Sequence, residues 1–338
     1  MRLEEIRDAR ARTCRGIQPL PEGDFSGSVG IDFQLRPRES RIRRLKRLIA
    51  RLALALSQAK AHEQLGVDIP FPTNLIALGE RFAEESAWSY MLARLPDMRR
   101  LSVLIPGCYM AGEDIQFWTR QGVQRVEGID VYALNDHWAK LIPKLRAQWS
   151  TPVFFRQGSI ENIPFADDEF DVIASAAVLE HVRNLPAMAA ETARVLKPGG
   201  FALHSFGPLY YCFGADHCIG AYGLEAGYDH ILLAEEDYRR KISDRPFFER
   251  ATKNPDLGFW AVNGQFSFAV GSEYIEVFRK HFDIEYVVAM ISTPGLEYRK
   301  RFPDKWAKLL NAGVGEADLL LKGLSVVLRK PARTKGMA

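Results

Sequence analysis

From Arg100 onward, short apolar runs alternate with longer stretches in which apolar residues recur at helical spacing. LSVLIP (Leu101 to Pro106) reads as a buried strand, and Ala111 to Gln121 as the helix after a turn at Gly107. Val123 to Val131 is a second strand, Asn135 to Gln148 a second helix and Val153 to Gly158 a third strand. Phe170 to Ala176 is a fourth strand, Pro186 to Leu196 a helix ended by LKPGG, and Phe201 to Phe206 a fifth strand. Such alternation is the mark of βαβ units folded into a parallel sheet.

The rhythm lapses for some sixty residues after Phe206, a stretch rich in Gly, Tyr, Phe and His. It resumes with a helix at Ser272 to His281, then two strand-like runs, FDIEYVVAMIS and LKGLSVVLRK. The segment between these runs, Thr293 to Asp318, is longer than a hairpin needs and predicts a helix around Trp306 to Leu310. The first ninety-nine residues read as helical, without a persuasive strand. Within them Ile42, Leu45, Ile49, Leu52 and Leu56 recur at helical spacing, and eight Arg or Lys side chains crowd residues 36 to 51. That pattern describes a basic amphipathic helix, packed on the next domain or laid on an anionic surface. No internal repeat is visible.

Composition changes this picture little. The chain has 338 residues, 47% of them hydrophobic, with 45 basic and 42 acidic side chains giving a net charge of +3. These are the proportions of an ordinary globular protein, and the small net charge calls for no polyanionic partner. MRLEEIRDARARTCRG lacks the apolar core of a secretory signal, and the apolar run Leu45 to Leu56 is broken by Lys46, Arg47 and Arg51. Cys14, Cys108, Cys212 and Cys218 are scattered and form no CxxC pair, which suits reduced thiols in a cytoplasmic protein. Peripheral contact of the basic helix with a membrane stays open.

Two features point to a nucleotide-like ligand. GCYMAG (Gly107 to Gly112) joins a strand to a helix, so that backbone N–H groups at the helix N-terminus face an approaching ligand. It is not a P-loop, because no Lys-Ser or Lys-Thr follows the glycine. Asp130 ends the second strand 23 positions after Gly107, where a carboxylate can accept hydrogen bonds from the ribose hydroxyls of an adenosine. Gly107 and Asp130 together fit either a nicotinamide cofactor or S-adenosylmethionine.

The run GSIENIPFADDEFDVIASAAVLEHV (Gly158 to Val182), followed by ETARVLKPGGFALHSF (Glu191 to Phe206), separates these two. In its blocks and their spacing it resembles the class I S-adenosylmethionine-dependent methyltransferases over about 105 residues. The resemblance implies an α/β, Rossmann-like, doubly wound sheet of seven strands whose last strand pair is antiparallel. It implies a domain over residues 100–330 with a lid insert at 207–267, a helical N-terminal region at 1–99 and a disordered tail at 331–338. S-adenosylmethionine is the implied cofactor, held by Gly107, Tyr109, Ala111, Asp130 and Ala176, with Ser159 and Ile160 beside the adenine. The chain departs from the family at Ile105, where an acidic residue is usual, and at Tyr109 and Ala111, where glycines are usual. Ile105 removes a partner for the cofactor's amino group, which Glu113 or Asp114 could replace, and Ser159 stands where many members carry an aspartate facing the adenine amine. His181 in LEHV is a family-typical, structural or pocket-lining position.

The expected activity is methyl transfer to a small molecule, at oxygen of a sugar or other metabolite. The lid insert supplies Tyr210, Tyr211, Asp216, His217, Tyr222, Tyr228, Asp229 and His230. His217 is the preferred general base, oriented by Asp216 or another acid. Cys212, His217, Cys218 and His230 lack the spacing of a zinc site. The alternatives are a non-catalytic binding module of the same fold, or a nucleic-acid methyltransferase using the basic helix. Against the second, no Asn/Asp-Pro-Pro-Tyr/Phe motif follows the fourth strand, where ASAAV stands, and nucleic acid is not an expected partner. A nicotinamide-dependent oxidoreductase would require a GxGxxG turn and a parallel sixth strand, neither of which the sequence offers. The sequence leaves the oligomeric state open.

Overall fold

The computed structural model describes residues 61–78, 80–216, 223–242 and 266–332. Eight strands form one sheet: β1 (Leu75–Leu78), β2 (Ser102–Pro106), β3 (Arg125–Asp130), β4 (Val153–Gln157), β5 (Phe170–Ala176), β6 (Leu196–Phe206), β7 (Asp283–Ile291) and β8 (Leu321–Arg329). Their spatial order is β1-β7-β8-β6-β5-β2-β3-β4. β2 pairs in parallel with β3 and β5, β3 with β4, and β5 with β6. β8 runs antiparallel between β6 and β7. All seven strands read from the sequence are present, and the expected antiparallel pairing of the last two holds.

Two expectations about secondary structure are corrected. The N-terminal region is not purely helical, because β1 pairs in parallel with β7 and adds an eighth strand. Leu-Ile-Ala-Leu is too short for periodicity to declare itself, and its pairing is specified by a remote partner. Asn74 sets the register, its N–H donating to the Val287 carbonyl and its Oδ1 accepting from the Val287 N–H. β1 therefore crosses the boundary expected at residue 100 and covers what would have been an edge strand. The second correction concerns LKPGG, which already belongs to β6. Leu196 pairs with Phe170, while Gly199 N–H donates to Lys330 and Lys330 N–H to Gly200. Gly199 has φ +80°, which glycine adopts without strain, and so the strand turns there without ending. The basic stretch 36–51 lies outside the described residues, as do 217–222 and 243–265 of the lid and 333–338 of the tail.

Helices cover both faces. α1 (Glu80–Leu92) and α2 (Glu113–Gln121) lie against a core holding Val103, Ile105, Ala174, Leu203 and Val327, with Trp118 fully buried. α3 (Asn135–Gln148) adds Trp138, Leu141 and Leu145 to that layer. The opposite core gathers Leu104, Ile173, Ala202 and Phe206 with α4 (Leu185–Val195) and, beyond the short lid helices α5 (Asp229–Leu232) and α6 (Glu235–Ile242), α7 (Gly271–Arg279). Neighbouring strand residues alternate between the two cores, as the two-residue period of a strand requires. Between β7 and β8 the chain forms α8 (Thr293–Arg301), α9 (Pro303–Asn311) and α10 (Glu316–Leu320). The predicted helix at Trp306 to Leu310 is the middle one.

Arg194 fixes the long connection between β4 and β5. Its guanidinium binds Glu191 and Asp167 at 2.7 and 2.8 Å and donates to the carbonyls of Ile163 and Phe165, both at 2.8 Å. Hydrogen bonds to charged groups contribute about 1.5–3 kcal/mol each before solvent screening. Because Arg194 is partly exposed, replacing it with Ala is expected to cost about 2–3 kcal/mol in total. Urea denaturation checks this, and an unchanged midpoint would show that the connection is held by its apolar contacts alone.

Candidate functional site

The parallel strands β2, β3, β4 and β5 deliver their carboxyl ends to one edge of the sheet, where ligands bind in open α/β folds. Asp130, the last residue of β3, organises that edge. Its Oδ2 accepts the N–H of Tyr109 at 2.7 Å, from the loop after β2. Its Oδ1 accepts the N–H of Tyr132 at 3.0 Å, from the loop after β3. Its backbone carbonyl accepts the N–H of Gly158 at 2.8 Å, from the loop after β4. One residue therefore joins three loops. Burial raises the Asp130 carboxyl above its ordinary range, and the N–H groups of Tyr132, Tyr109 and Val131 oppose that shift.

The loop after β2 keeps a glycine-like backbone without glycine at two of its positions. Gly107 has φ +68°, Tyr109 +39° and Ala111 +57°. Left-handed backbone costs an L-residue with a side chain about 1–2 kcal/mol, so tertiary bonds must hold this turn. They come from Asp130 and from the first turn of α3, where Trp138 Nε1 donates to the Tyr109 carbonyl at 2.7 Å. His137 Nε2 lies 3.2 Å from the Met110 carbonyl. Trp138 is itself fixed by stacking on Phe155, with ring centroids 5.6 Å apart. The Tyr109 side chain stands 40% exposed and meets Tyr132 edge-on at 6.2 Å.

Ser159 and Ile160 lie on the loop after β4. Ser159 Oγ accepts the N–H of Glu161, and Ile160 is buried. Glu161 Oε1 in turn accepts the N–H groups of Arg183 and Asn184 at 2.9 and 3.0 Å, which ties this loop to the one after β5. Ala176 and Ala177 are exposed at the end of β5, Ala177 with φ +53°.

The structure thus brings Gly107, Tyr109, Ala111, Asp130, Ser159, Ile160 and Ala176 onto one edge. Sequence reasoning missed Trp138, His137 and Glu161, which hold the loops from outside the recognised motifs. No spacing signal marks them, because each acts on a backbone group from another segment. His217 lies outside the described residues.

The other lid residues proposed for chemistry are mostly packing. Tyr210, Tyr211 and Tyr228 are buried, and the Tyr228 hydroxyl donates to the Leu319 carbonyl at 2.6 Å. His230 Nε2 lies 2.8 Å from the Tyr210 carbonyl, and Asp216 accepts the Tyr238 hydroxyl at 3.2 Å. Asp229 pairs with Lys241. Among the described residues no group of three or more His, Cys, Asp or Glu could hold a metal ion. No described helix is long and apolar enough to cross a membrane.

An adenosine-bearing ligand fits this edge. An ionised carboxylate offers about four acceptor sites, so Asp130 can hold its loops and still meet ribose hydroxyls. Open space lies where a side chain on Gly112 would be, with no atom within 4 Å. The tight point is Gly107, where an added Cβ would fall 2.2 Å from Val178 Cγ2. Asp130 is expected to be irreplaceable by its isostere. In Asp130→Asn the amide nitrogen would oppose a backbone N–H, and the variant should lose about 1–3 kcal/mol of stability by denaturant titration. Stability equal to wild type would remove Asp130 from its role as the junction.

A methyltransferase-domain family matches residues 104–204, from β2 to within β6. A malonyl-[acyl-carrier protein] O-methyltransferase of Pectobacterium atrosepticum is 30% identical over 123 residues, 36% of this chain and 45% of that protein. An uncharacterized methyltransferase of Schizosaccharomyces pombe is 30% identical over 112 residues, 33% of this chain and 36% of that protein. The matched segment therefore spans less than half the length of either relative. Among solved structures, an S-adenosylmethionine-dependent methyltransferase from Mesorhizobium loti aligns over 72% of this chain and 98% of its own, at 17% identity and a TM-score of 0.42. Over residues 104–204 the chain thus matches the methyltransferase-domain family, in keeping with its resemblance to the class I S-adenosylmethionine-dependent methyltransferases.

Proposed function

We propose that the protein transfers the methyl group of S-adenosylmethionine to an oxygen of a small molecule, a sugar or comparable metabolite. The observation that carries this reading is the convergence of three loops on Asp130, beside the exposed end of β5. In it, Asp130 would accept the ribose hydroxyls, Ser159 and Ile160 would flank the adenine, and the backbone of Gly107, Tyr109 and Ala111 would line the path toward Ala176. The sulfonium methyl comes already activated, so the protein's work is alignment of the acceptor and exclusion of water. An oxygen acceptor is supported by the O-methyltransferase activity named for the Pectobacterium relative. The lid follows β6 directly, which favours His217, next to the buried Asp216, as the base that takes the acceptor's proton.

A second reading, a binding module without turnover, is favoured by Val178 packing over Gly107 and by an aliphatic Ile105 in the place of an acid. Incubating the protein with S-adenosylmethionine and a panel of hydroxylated metabolites, followed by mass spectrometry, separates the two. Methyl transfer is expected, as a gain of one methylene in a product, and His217→Ala should abolish it while cofactor affinity by calorimetry stays within about twofold. Tight cofactor binding with no methylated product from any acceptor would favour the binding module.

A further inference from the structure

A second carboxylate stands near the same edge, on an element outside the family match. Glu84 lies on the second turn of α1, half-buried, and accepts the hydroxyl of Ser205 at 3.3 Å. Ser205 Oγ is 2.7 Å from Ser325 Oγ. Both serines are buried in a sheet face otherwise lined by Leu203, Val327 and Met290. An ionised carboxylate only accepts, and each hydroxyl carries one proton. The chain of bonds therefore has one direction, Ser325 to Ser205 to Glu84, and it points the glutamate's Oε1 at the end of β6.

Register locates that end relative to the site. Ser205 pairs with Ala176. The β2–β5 register runs Val103 to Val172 and Leu104 to Ile173, and continuing it puts Gly107 level with Ala176. Glu84 is thus level with the loop after β2, on the face of the sheet that carries Ile105. Ile105 is only 2% exposed and supplies no charge.

We infer that Glu84 receives the ammonium group of the ligand's aminoacyl end. The assignment rests on the cofactor reading given above. A cation drawn from water into a partly buried cleft needs a counter-charge, and Asp130 already serves two backbone N–H groups at the opposite end. Dimensions agree as well. From β3 to β6 there are three strand spacings in the order β3-β2-β5-β6, roughly 14 Å at about 4.8 Å each. The extended chain from ribose to ammonium covers roughly 8 Å. Hydrogen bonds of about 2.9 Å at its two ends bring the span to roughly 14 Å. Ser205 and Ser325 act as positioning residues, holding the carboxylate toward the cleft.

The test pairs a substitution with a truncated ligand. S-adenosylhomocysteine carries the aminoacyl end, and 5′-methylthioadenosine lacks it. By calorimetry, Glu84→Gln should weaken S-adenosylhomocysteine about tenfold or more and leave 5′-methylthioadenosine within about twofold. Ser205→Ala should show the same selectivity at smaller amplitude. Unchanged 5′-methylthioadenosine binding certifies that each variant is folded. Equal losses for both ligands, or no loss for either, would overturn the assignment. Wild-type protein that binds neither ligand would overturn the cofactor reading, and this assignment with it.

Discussion

Everything at the carboxyl edge of the sheet depends on Asp130 accepting backbone N–H groups from two loops while its own carbonyl anchors a third. A carboxylate buried to this degree is unfavourable unless its oxygens are satisfied. Here the desolvation cost is offset by amides that would themselves be orphaned without it. The arrangement is mutual: the loops hold the charge and the charge holds the loops. It also explains how the turn after β2 tolerates Tyr109 and Ala111. The strain of two left-handed side-chain-bearing residues is carried by Asp130 on one side and by Trp138 and His137 on the other.

The rest of the molecule can be understood as support for that edge. β5 ends at exposed alanines, Glu161 ties the loop after β4 to the one after β5, and Arg194 braces the connection between those strands. The described part of the lid is an aromatic layer in which Tyr210, Tyr228 and His230 spend their polar atoms on backbone carbonyls. Such a layer can keep water from the edge while contributing no chemistry itself. The catalytic role proposed for this insert rests on His217, which lies outside the described residues.

How much of this could be read beforehand follows from the range of each interaction. The strands from β2 to β8 were legible because short apolar stretches between helical patterns declare themselves locally. Asp130 was legible because it ends a strand at a recognisable distance from Gly107. β1 was not, since four residues of Leu, Ile and Ala carry no periodicity and gain their conformation from β7. Nor was the strand character of LKPGG, where a proline and two glycines suggest a stop and only the pairing with β8 and β5 says otherwise. Trp138, Glu161 and Glu84 escaped for a single reason. Each acts on a partner distant in sequence or on a backbone group, which leaves no mark in residue spacing.

The central claim is that the Asp130 junction is where the ligand's ribose docks. A crystal structure with S-adenosylhomocysteine tests it most directly. The ribose hydroxyls should lie about 2.5–3.0 Å from the Asp130 carboxylate, with the adenine beside Ser159 and Ile160 and the Tyr109 N–H still bound to Asp130. A ligand seated away from this edge, or a ribose turned from Asp130, would contradict the account.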